Sequence, residues 1–339
     1  MARTWLFFVV CSTFLLTSIS KCENTTTDPN VLVFVPAPEE NPTTAEKAEL
    51  GRKLFFDKRL SLDGTVACAT CHDPHKAFTD QLKTSIGIKG QRTDRNAPSV
   101  LNSGFLKTVM FDAHLKTLEL QVIVPLQEPT EMGHNMKKLI PQLRAISEYQ
   151  EAAQRIFKRD FDAYVLTRSI SAFQRTLVSM NSRFDQYQAG NKKALSNDEQ
   201  AGWKLFSEKL YCIQCHPAPY FTTFEAANNG LYLDFGKDKG RFRINLDSAD
   251  IGKFKIPTLR NVELTFPYMH DGSIETLEKV IAHYSQGGKR HPLQSSTIVP
   301  FDLSAKEQKQ LILFLKALTD TSYLKRFNDL TTRSTTSGK

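Results

Sequence analysis

Apolar residues recur three and four positions apart over 164–179, 274–284 and 307–318, so each run presents one hydrophobic face when wound as a helix. Three helix starts are marked by a hydroxyl residue set three places ahead of a glutamate: Thr43-Thr-Ala-Glu46, Ser196-Asn-Asp-Glu199 and Ser304-Ala-Lys-Glu307. At that spacing the side chains and backbone N–H groups of a first helical turn satisfy one another. No segment alternates apolar and polar residues over the length of a strand. The pattern therefore predicts a mostly α fold with long loops. It also repeats. Gly51-Arg-Lys-Leu54-Phe55 and Gly202-Trp-Lys-Leu205-Phe206 each follow one of these helix starts and each precede a pair of cysteines, which predicts two copies of one small helical unit. The break falls near Gly190–Ser196, giving expected domains 43–190 and 191–328. A linker rich in Pro, Thr, Asn and Glu occupies 22–42, and the small polar residues of 329–339 read as a disordered tail.

The first residues decide the compartment. Arg3 precedes an apolar run from Trp5 to Leu16, too short to span a bilayer and followed by polar residues. This reads as a signal peptide over 1–21, cleaved near Ser20–Cys22, and predicts export to the periplasm with no transmembrane segment left after cleavage. Ile19-Ser20-Lys21-Cys22 faintly resembles a lipoprotein box, with Lys21 ill-suited to its place, which makes Cys22 the candidate for a lipid anchor. The chain has 339 residues, 40% hydrophobic and 24% charged, as suits a soluble protein of about two domains. Its formal charge of +8 is spread over scattered lysines and arginines without interleaved aromatics, which argues against a nucleic-acid partner.

Four of the six cysteines form Cys68-Ala-Thr-Cys71-His72 and Cys212-Ile-Gln-Cys215-His216. This is the c-type haem attachment sequence: two thiols bond the haem vinyl groups and the adjacent imidazole supplies an axial nitrogen to the iron. A zinc site made of two cysteine pairs would place them closer than the 144 residues that separate Cys68 from Cys212. A thioredoxin-like pair would follow a strand and has no need of the histidine. Two covalent haems c are expected.

Beyond these motifs the sequence resembles the bacterial di-haem cytochrome c peroxidases and their relative MauG, which completes a quinone cofactor in methylamine dehydrogenase. The resemblance runs from about residue 43 to 320. It is carried by Leu54-Phe-Phe-Asp57, Cys68-Ala-Thr-Cys-His-Asp-Pro74, Ala77-Phe-Thr-Asp80, Arg95-Asn-Ala-Pro-Ser99, Glu128-Pro-Thr-Glu-Met-Gly133, Pro257-Thr-Leu-Arg-Asn261 and Pro267-Tyr-Met-His-Asp-Gly272. It implies two tandem class I cytochrome c-like haem domains, with peroxide handled at the N-terminal haem and electrons relayed by the C-terminal one.

Four positions distinguish this member. Where many relatives carry a histidine that closes the peroxide site, in a Gly-His-Lys-Gly-Gln context, this chain reads Gly87-Ile88-Lys89-Gly90-Gln91; Ile88 cannot ligate iron, so the N-terminal haem is expected to stand open. Glu131 matches the distal carboxylate of the family and Gln121 its distal amide, with Pro125 between them. Tyr284, fourteen residues after His270, stands where the peroxidases have a methionine ligand and MauG a tyrosine, making His216 and Tyr284 the expected ligands of the second haem. A phenolate favours the more oxidised iron. Met269 and His283 are nearby rivals for that role. Phe111 replaces the family's inter-haem Trp, and His114 a family Arg. The resemblance also implies a Ca²⁺ ion bound by Asn96 and by the carbonyls of Thr265 and Pro267, since oxygen ligands suit that ion.

The resulting expectation is a periplasmic cytochrome-c-peroxidase-type oxidoreductase that reduces hydrogen peroxide with electrons from a small cytochrome c or cupredoxin. A homodimer would be common in the family. The alternative is a MauG-like enzyme that oxidises residues of a protein partner; Ile88 and Tyr284 favour it. Phe111 weighs against it, and so does Leu210, which stands where MauG has a surface Trp, with Trp203 out of position. A non-catalytic electron carrier would need two fully coordinated haems and leaves Glu131 without a purpose.

Overall fold

Hydrophobic helices, not sheets, build the core. The computed structural model describes residues 35–328; the expected signal peptide, Cys22, most of the expected linker and the residues beyond 328 lie outside them. Among the described residues the α-helices are α1 (Ala45–Phe55), α2 (Cys68–Cys71), α3 (Leu118–Gln127), α4 (Met136–Arg144), α5 (Ser147–Phe157), α6 (Ala163–Thr176), α7 (Arg183–Gln188), α8 (Asn197–Lys204), α9 (Phe242–Asn245), α10 (Leu277–Ser285) and α11 (Ala305–Lys316). The strands, β1 (Ala226–Ala227) and β2 (Phe254–Lys255), make one short antiparallel pair. The three amphipathic runs are α6, α10 and α11. Ser196 and Ser304 cap α8 and α11 with the expected reciprocal bonds to Glu199 and Glu307. The first start is shifted by one residue: Thr44, not Thr43, caps α1, and it accepts from Lys47 N instead of pairing with Glu46. The described end of the linker is not loose either, because buried Asn41 donates to Glu119 Oε1 at 2.7 Å.

The internal repeat has a structural counterpart. α1 crosses α6 where Gly51 meets Ser169 and Phe173, and α8 crosses α11 where Gly202 meets Gln310 and Phe314. A Cβ at Gly51 would lie 1.8 Å from Ser169 O, and one at Gly202 would lie 2.0 Å from Gln310 O. Glycine is there because the two backbones touch. Alanine usually stabilises a helix interior by roughly 1 kcal/mol over glycine. Gly51→Ala should do the reverse and cost about 1–3 kcal/mol through overpacking. A denaturant titration checks this; an unchanged or raised midpoint would show that the crossing relaxes freely.

The repeat reaches further than its helix starts suggested. Pro98-Ser-Val-Leu-Asn102 and Pro257-Thr-Leu-Arg-Asn261 adopt matching turns. Ser99 Oγ donates to Ala77 O and Thr258 Oγ1 to Tyr220 O, each at 2.6 Å. Asn102 and Asn261 both sit in the left-handed region (φ 61° and 59°) and both bond Ser179, the first through its backbone groups and the second through its hydroxyl. Two hydrophobic clusters follow from these units. One is centred on Leu54, Phe55, Phe78 and Phe173 and also takes in Tyr323 and Phe327 from the C-terminal end. The other is centred on Phe184, Phe206, Phe221 and Phe314.

Candidate functional site

Each attachment motif sits on a short helical turn that places its two cysteines one turn apart, on α2 for the first pair and on a 3₁₀ turn over Cys212–Gln214 for the second. All four thiols are half-buried and unpaired. Burial pushes Cys68 and Cys212 up to about 12 and Cys71 up to about 11, so they stand as neutral thiols at neutral pH. Both motif histidines are held alike. His72 Nδ1 lies 3.1 Å from Phe78 O and His216 Nδ1 lies 2.9 Å from Phe221 O. A carbonyl only accepts, so Nδ1 carries the proton and Nε2 keeps a free lone pair in each ring. Burial lowers both imidazole pKa values, which keeps them neutral and able to ligate. Free thiols one turn apart beside a neutral imidazole fit covalent haem at both motifs.

Glu131 lies on the loop after α3, its carboxyl close enough to Cys68 and Cys71 to disfavour their ionisation. Burial, reinforced by neighbouring Glu128, pushes its pKa up to about 7. The loop that carries Ile88 is pinned against it: Ile88 N–H donates to Glu131 O at 2.9 Å. Gly87 is required there, since a Cβ would fall 2.0 Å from Thr130 O. The Ile88 side chain is buried, with Cδ1 directed at Gly133. Gln121 is half-buried on α3, the helix that leads into the Glu131 loop and that contains Pro125.

Tyr284, near the end of α10, has the same relation to the second motif that Glu131 has to the first, with its phenol in electrostatic reach of Cys215 and Cys212. Burial raises its pKa and a hydrogen bond from Asn229 works against that rise. Asn229 also meets the two rivals. His283 Nε2 lies 3.0 Å from Asn229 O, and Met269 Sδ accepts from Asn229 Nδ2 at 3.2 Å.

Known proteins carry the same features. The signature of di-haem cytochrome c peroxidases matches residues 45–193. The methylamine utilization protein MauG of Methylorubrum extorquens is 36% identical over 286 residues, covering 84% of this chain and 81% of that one. The cytochrome c551 peroxidase of Nitrosomonas europaea is 34% identical over 288 residues, covering 84% and 83%. This chain belongs to the di-haem cytochrome c peroxidase family. The crystal structure of a MauG-like protein associated with microbial copper homeostasis superposes with a TM-score of 0.82 at 37% identity, covering 88% of this chain and 97% of that one.

In this di-haem peroxidase Arg95 is the centre of a charged and aromatic cluster. Arg95 makes paired hydrogen bonds to Asp112 (2.7 and 3.0 Å) and to Asp238 (2.6 and 2.7 Å). Its guanidinium lies over the rings of Phe111 and Phe254, and Phe254 stacks on His270 at 3.6 Å. Phe111 O accepts from Lys255 N at 2.7 Å. Lys255 has no carboxylate within ion-pair range among the described residues, and burial drops its pKa to about 8. A haem propionate would suit such a cation. Sequence reasoning missed Lys255, Asp238 and Asn229; the only available signal was that Lys255 directly precedes Ile-Pro-Thr-Leu-Arg-Asn261. At the expected calcium position, Asn96 N donates to His270 O and Asn96 Nδ2 to Leu82 O, each at 2.8 Å, which leaves Asn96 Oδ1 as its outward acceptor. The cis Phe266–Pro267 bond lies in the loop just before His270. His134 is buried, with Nε2 3.1 Å from Gln142 Oε1. Trp203 packs against Phe184, Phe206 and Phe314.

Proposed function

We propose that this family member is an exported peroxidase in which the 43–190 half, through His72, Glu131 and Gln121, handles hydrogen peroxide and the 191–328 half, through His216 and Tyr284, relays electrons. The carrying observation is Glu131: a carboxyl beside Cys68 and Cys71 whose pKa near 7 lets it both take and give a proton at neutral pH. Haem held by His72, Cys68 and Cys71 would supply the redox-active iron at which the peroxide bond is broken. Glu131 takes the proton of one peroxide oxygen and hands it to the departing one, and Gln121 orients the substrate. Two electrons and two protons convert one peroxide to two waters. The electrons come from a small cytochrome c or cupredoxin. Ile88, packed on Gly133 and tied to Glu131, provides no ligand that would close the site. Asn96, with the carbonyls of Thr265 and Pro267, would hold Ca²⁺.

A second reading, oxidation of a protein partner as its MauG relatives suggest, is favoured by Tyr284 and Ile88. Against it, Trp203 is half-buried and packs with Leu210 against the second hydrophobic cluster, with its ring against Phe184, Phe206 and Phe314. Steady-state assays separate the two. The peroxidase reading expects peroxide-dependent oxidation of a reduced small cytochrome or cupredoxin, two one-electron donors per peroxide. Failure to turn over either donor, with peroxide still consumed in the presence of an oxidisable protein, would favour the second reading.

A further inference from the structure

The internal repeat continues past the turns at Pro98 and Pro257. At a constant spacing of 159 residues (Pro98 to Pro257, Phe111 to His270), Val109-Met-Phe-Asp-Ala-His-Leu115 matches Tyr268-Met-His-Asp-Gly-Ser-Ile274. Each segment closes on itself, Val109 against Leu115 and Tyr268 against Ile274, with Met110 and Met269 both left-handed (φ 68° and 77°). The two copies are crossed. Asn96 N–H donates to His270 O at 2.8 Å, and its counterpart Lys255 donates from its N–H to Phe111 O at 2.7 Å. Asn96 and Lys255 therefore hold equivalent places at one junction, where the counterparts Arg95 and Phe254 touch. Where the first copy carries the neutral Asn96 amide, the second carries a cation.

The neighbouring cations are all paired: Arg95 with Asp112 and Asp238, Arg241 and Lys253 with Asp250, and Arg243 with Asp112. Lys255 differs. Among the described residues its ammonium meets no carboxylate in ion-pair range, and burial is the one influence on its pKa. A charge kept inside a protein is matched by an opposite charge. The chain's own side chains supply none to Lys255, so its anion belongs to a bound group. The residues flanking Lys255 point to which one. Ile256 N–H donates to Glu225 O at 2.8 Å, and Ile256 O accepts from Thr222 Oγ1 at 2.6 Å. Thr223 N–H donates to Cys215 O, and the Pro257 backbone joins Phe221 in hydrogen-bonding the His216 imidazole. Lys255 thus rides on the loop that holds the second attachment motif. A covalent haem at that motif brings two propionate carboxylates with it.

We propose that Lys255 is the counter-ion of a propionate of the C-terminal haem and, through that pairing, a positioning residue that raises the haem's potential. The inference rests on covalent haem at Cys212, Cys215 and His216, and on neither Glu131 nor Tyr284. A fixed positive charge that neutralises a propionate disfavours the extra charge of ferric iron. The test uses the purified di-haem protein and compares wild type with Lys255→Met, Lys255→Gln and Lys255→Arg. Two haems per chain are checked first in wild type; a single haem would remove the premise and not the lysine's role. The readouts are the midpoint potential of each haem, the propionate bending bands in resonance Raman spectra, and the denaturant midpoint. Each potential is followed through its own EPR signal, the C-terminal one being the signal that His216→Met alters. Lys255→Met and Lys255→Gln should lower the C-terminal potential, shift a propionate band and lower the denaturant midpoint, with the N-terminal potential unchanged. Lys255→Arg should restore all three. If the neutral variants fail to retain both haems, retention in Lys255→Arg supports the charge, and loss in Lys255→Arg as well overturns the proposal in favour of side-chain shape. Wild-type potentials in the neutral variants, with a raised denaturant midpoint, would show an ammonium with no anionic partner and overturn it. A change confined to the N-terminal haem would overturn the assignment to the C-terminal one.

Discussion

Glu131→Gln should keep both haems and lose about two to four orders of magnitude in the rate of peroxide cleavage, the usual contribution of a positioned acid–base group. The amide preserves size and hydrogen bonding but cannot carry the proton from one oxygen to the other. The pH dependence gives a second, independent signature. Burial, with Glu128 adding to it, places the Glu131 pKa at about 7. The base form takes the first proton, so the pre-steady-state rate with peroxide should rise as pH increases through about 7 and then level off. Glu128→Gln removes the like charge and should move that inflection to lower pH without abolishing the reaction. In Glu131→Gln the inflection should vanish. Rapid mixing of the ferric protein with peroxide reads all three. A Glu131→Gln rate within a few-fold of wild type would take this carboxyl out of the mechanism.

Arg95→Leu should destabilise the protein by about 3–5 kcal/mol, the typical cost of removing one partner from a buried ion pair. Asp112 is 2% exposed and Asp238 22%, and each meets Arg95 through two hydrogen bonds. Burial alone would work against the guanidinium's charge; the bonds to Asp238 and Asp112 outweigh it and raise its pKa. Burial likewise works against the Asp238 carboxylate, and Arg95 outweighs it, holding the Asp238 pKa below the ordinary range. The sign follows: a depressed carboxyl contributes stability above its ordinary pKa, and that stability is lost as pH falls through the depressed folded value. Acid sensitivity between those two values should therefore be present in wild type and weaker in Arg95→Leu. Denaturant titrations at neutral and acid pH measure both effects. A loss below 1 kcal/mol at neutral pH would mean that Asp112 and Asp238 find other partners, Arg243 being the nearest to Asp112.

Most of the architecture was legible in the sequence because it is written in short-range signals. Ser196 and Ser304 cap helices where their glutamates said they would, and Gly51 and Gly202 mark two equivalent crossings. Thr43 misled because two adjacent threonines offer two registers, and the backbone caps with the second. The attachment motifs are contiguous and so were plain from the start. Glu131 and Tyr284 were found through resemblance; in isolation each is one residue of a common type, and only their packing beside a cysteine pair sets them apart. Asn229, Asp238 and Lys255 escaped notice because their partners are distant in sequence: Met269 and Tyr284 for Asn229, Arg95 for Asp238, and the Phe111 carbonyl for the backbone of Lys255. Contacts of that kind follow from tertiary packing and leave no local pattern. The aromatic stack of Phe254 on His270 under Arg95 was hidden for the same reason.

The central claim is that the N-terminal haem stands open to peroxide while the C-terminal haem is fully ligated by His216 and Tyr284. The most direct test is the EPR spectrum of the purified, fully ferric protein. One high-spin and one low-spin signal of equal weight are predicted, since Ile88 offers the first iron no ligand and Tyr284 completes the second. Two low-spin signals would contradict the account, because a side chain from elsewhere would then close the peroxide site in the resting protein.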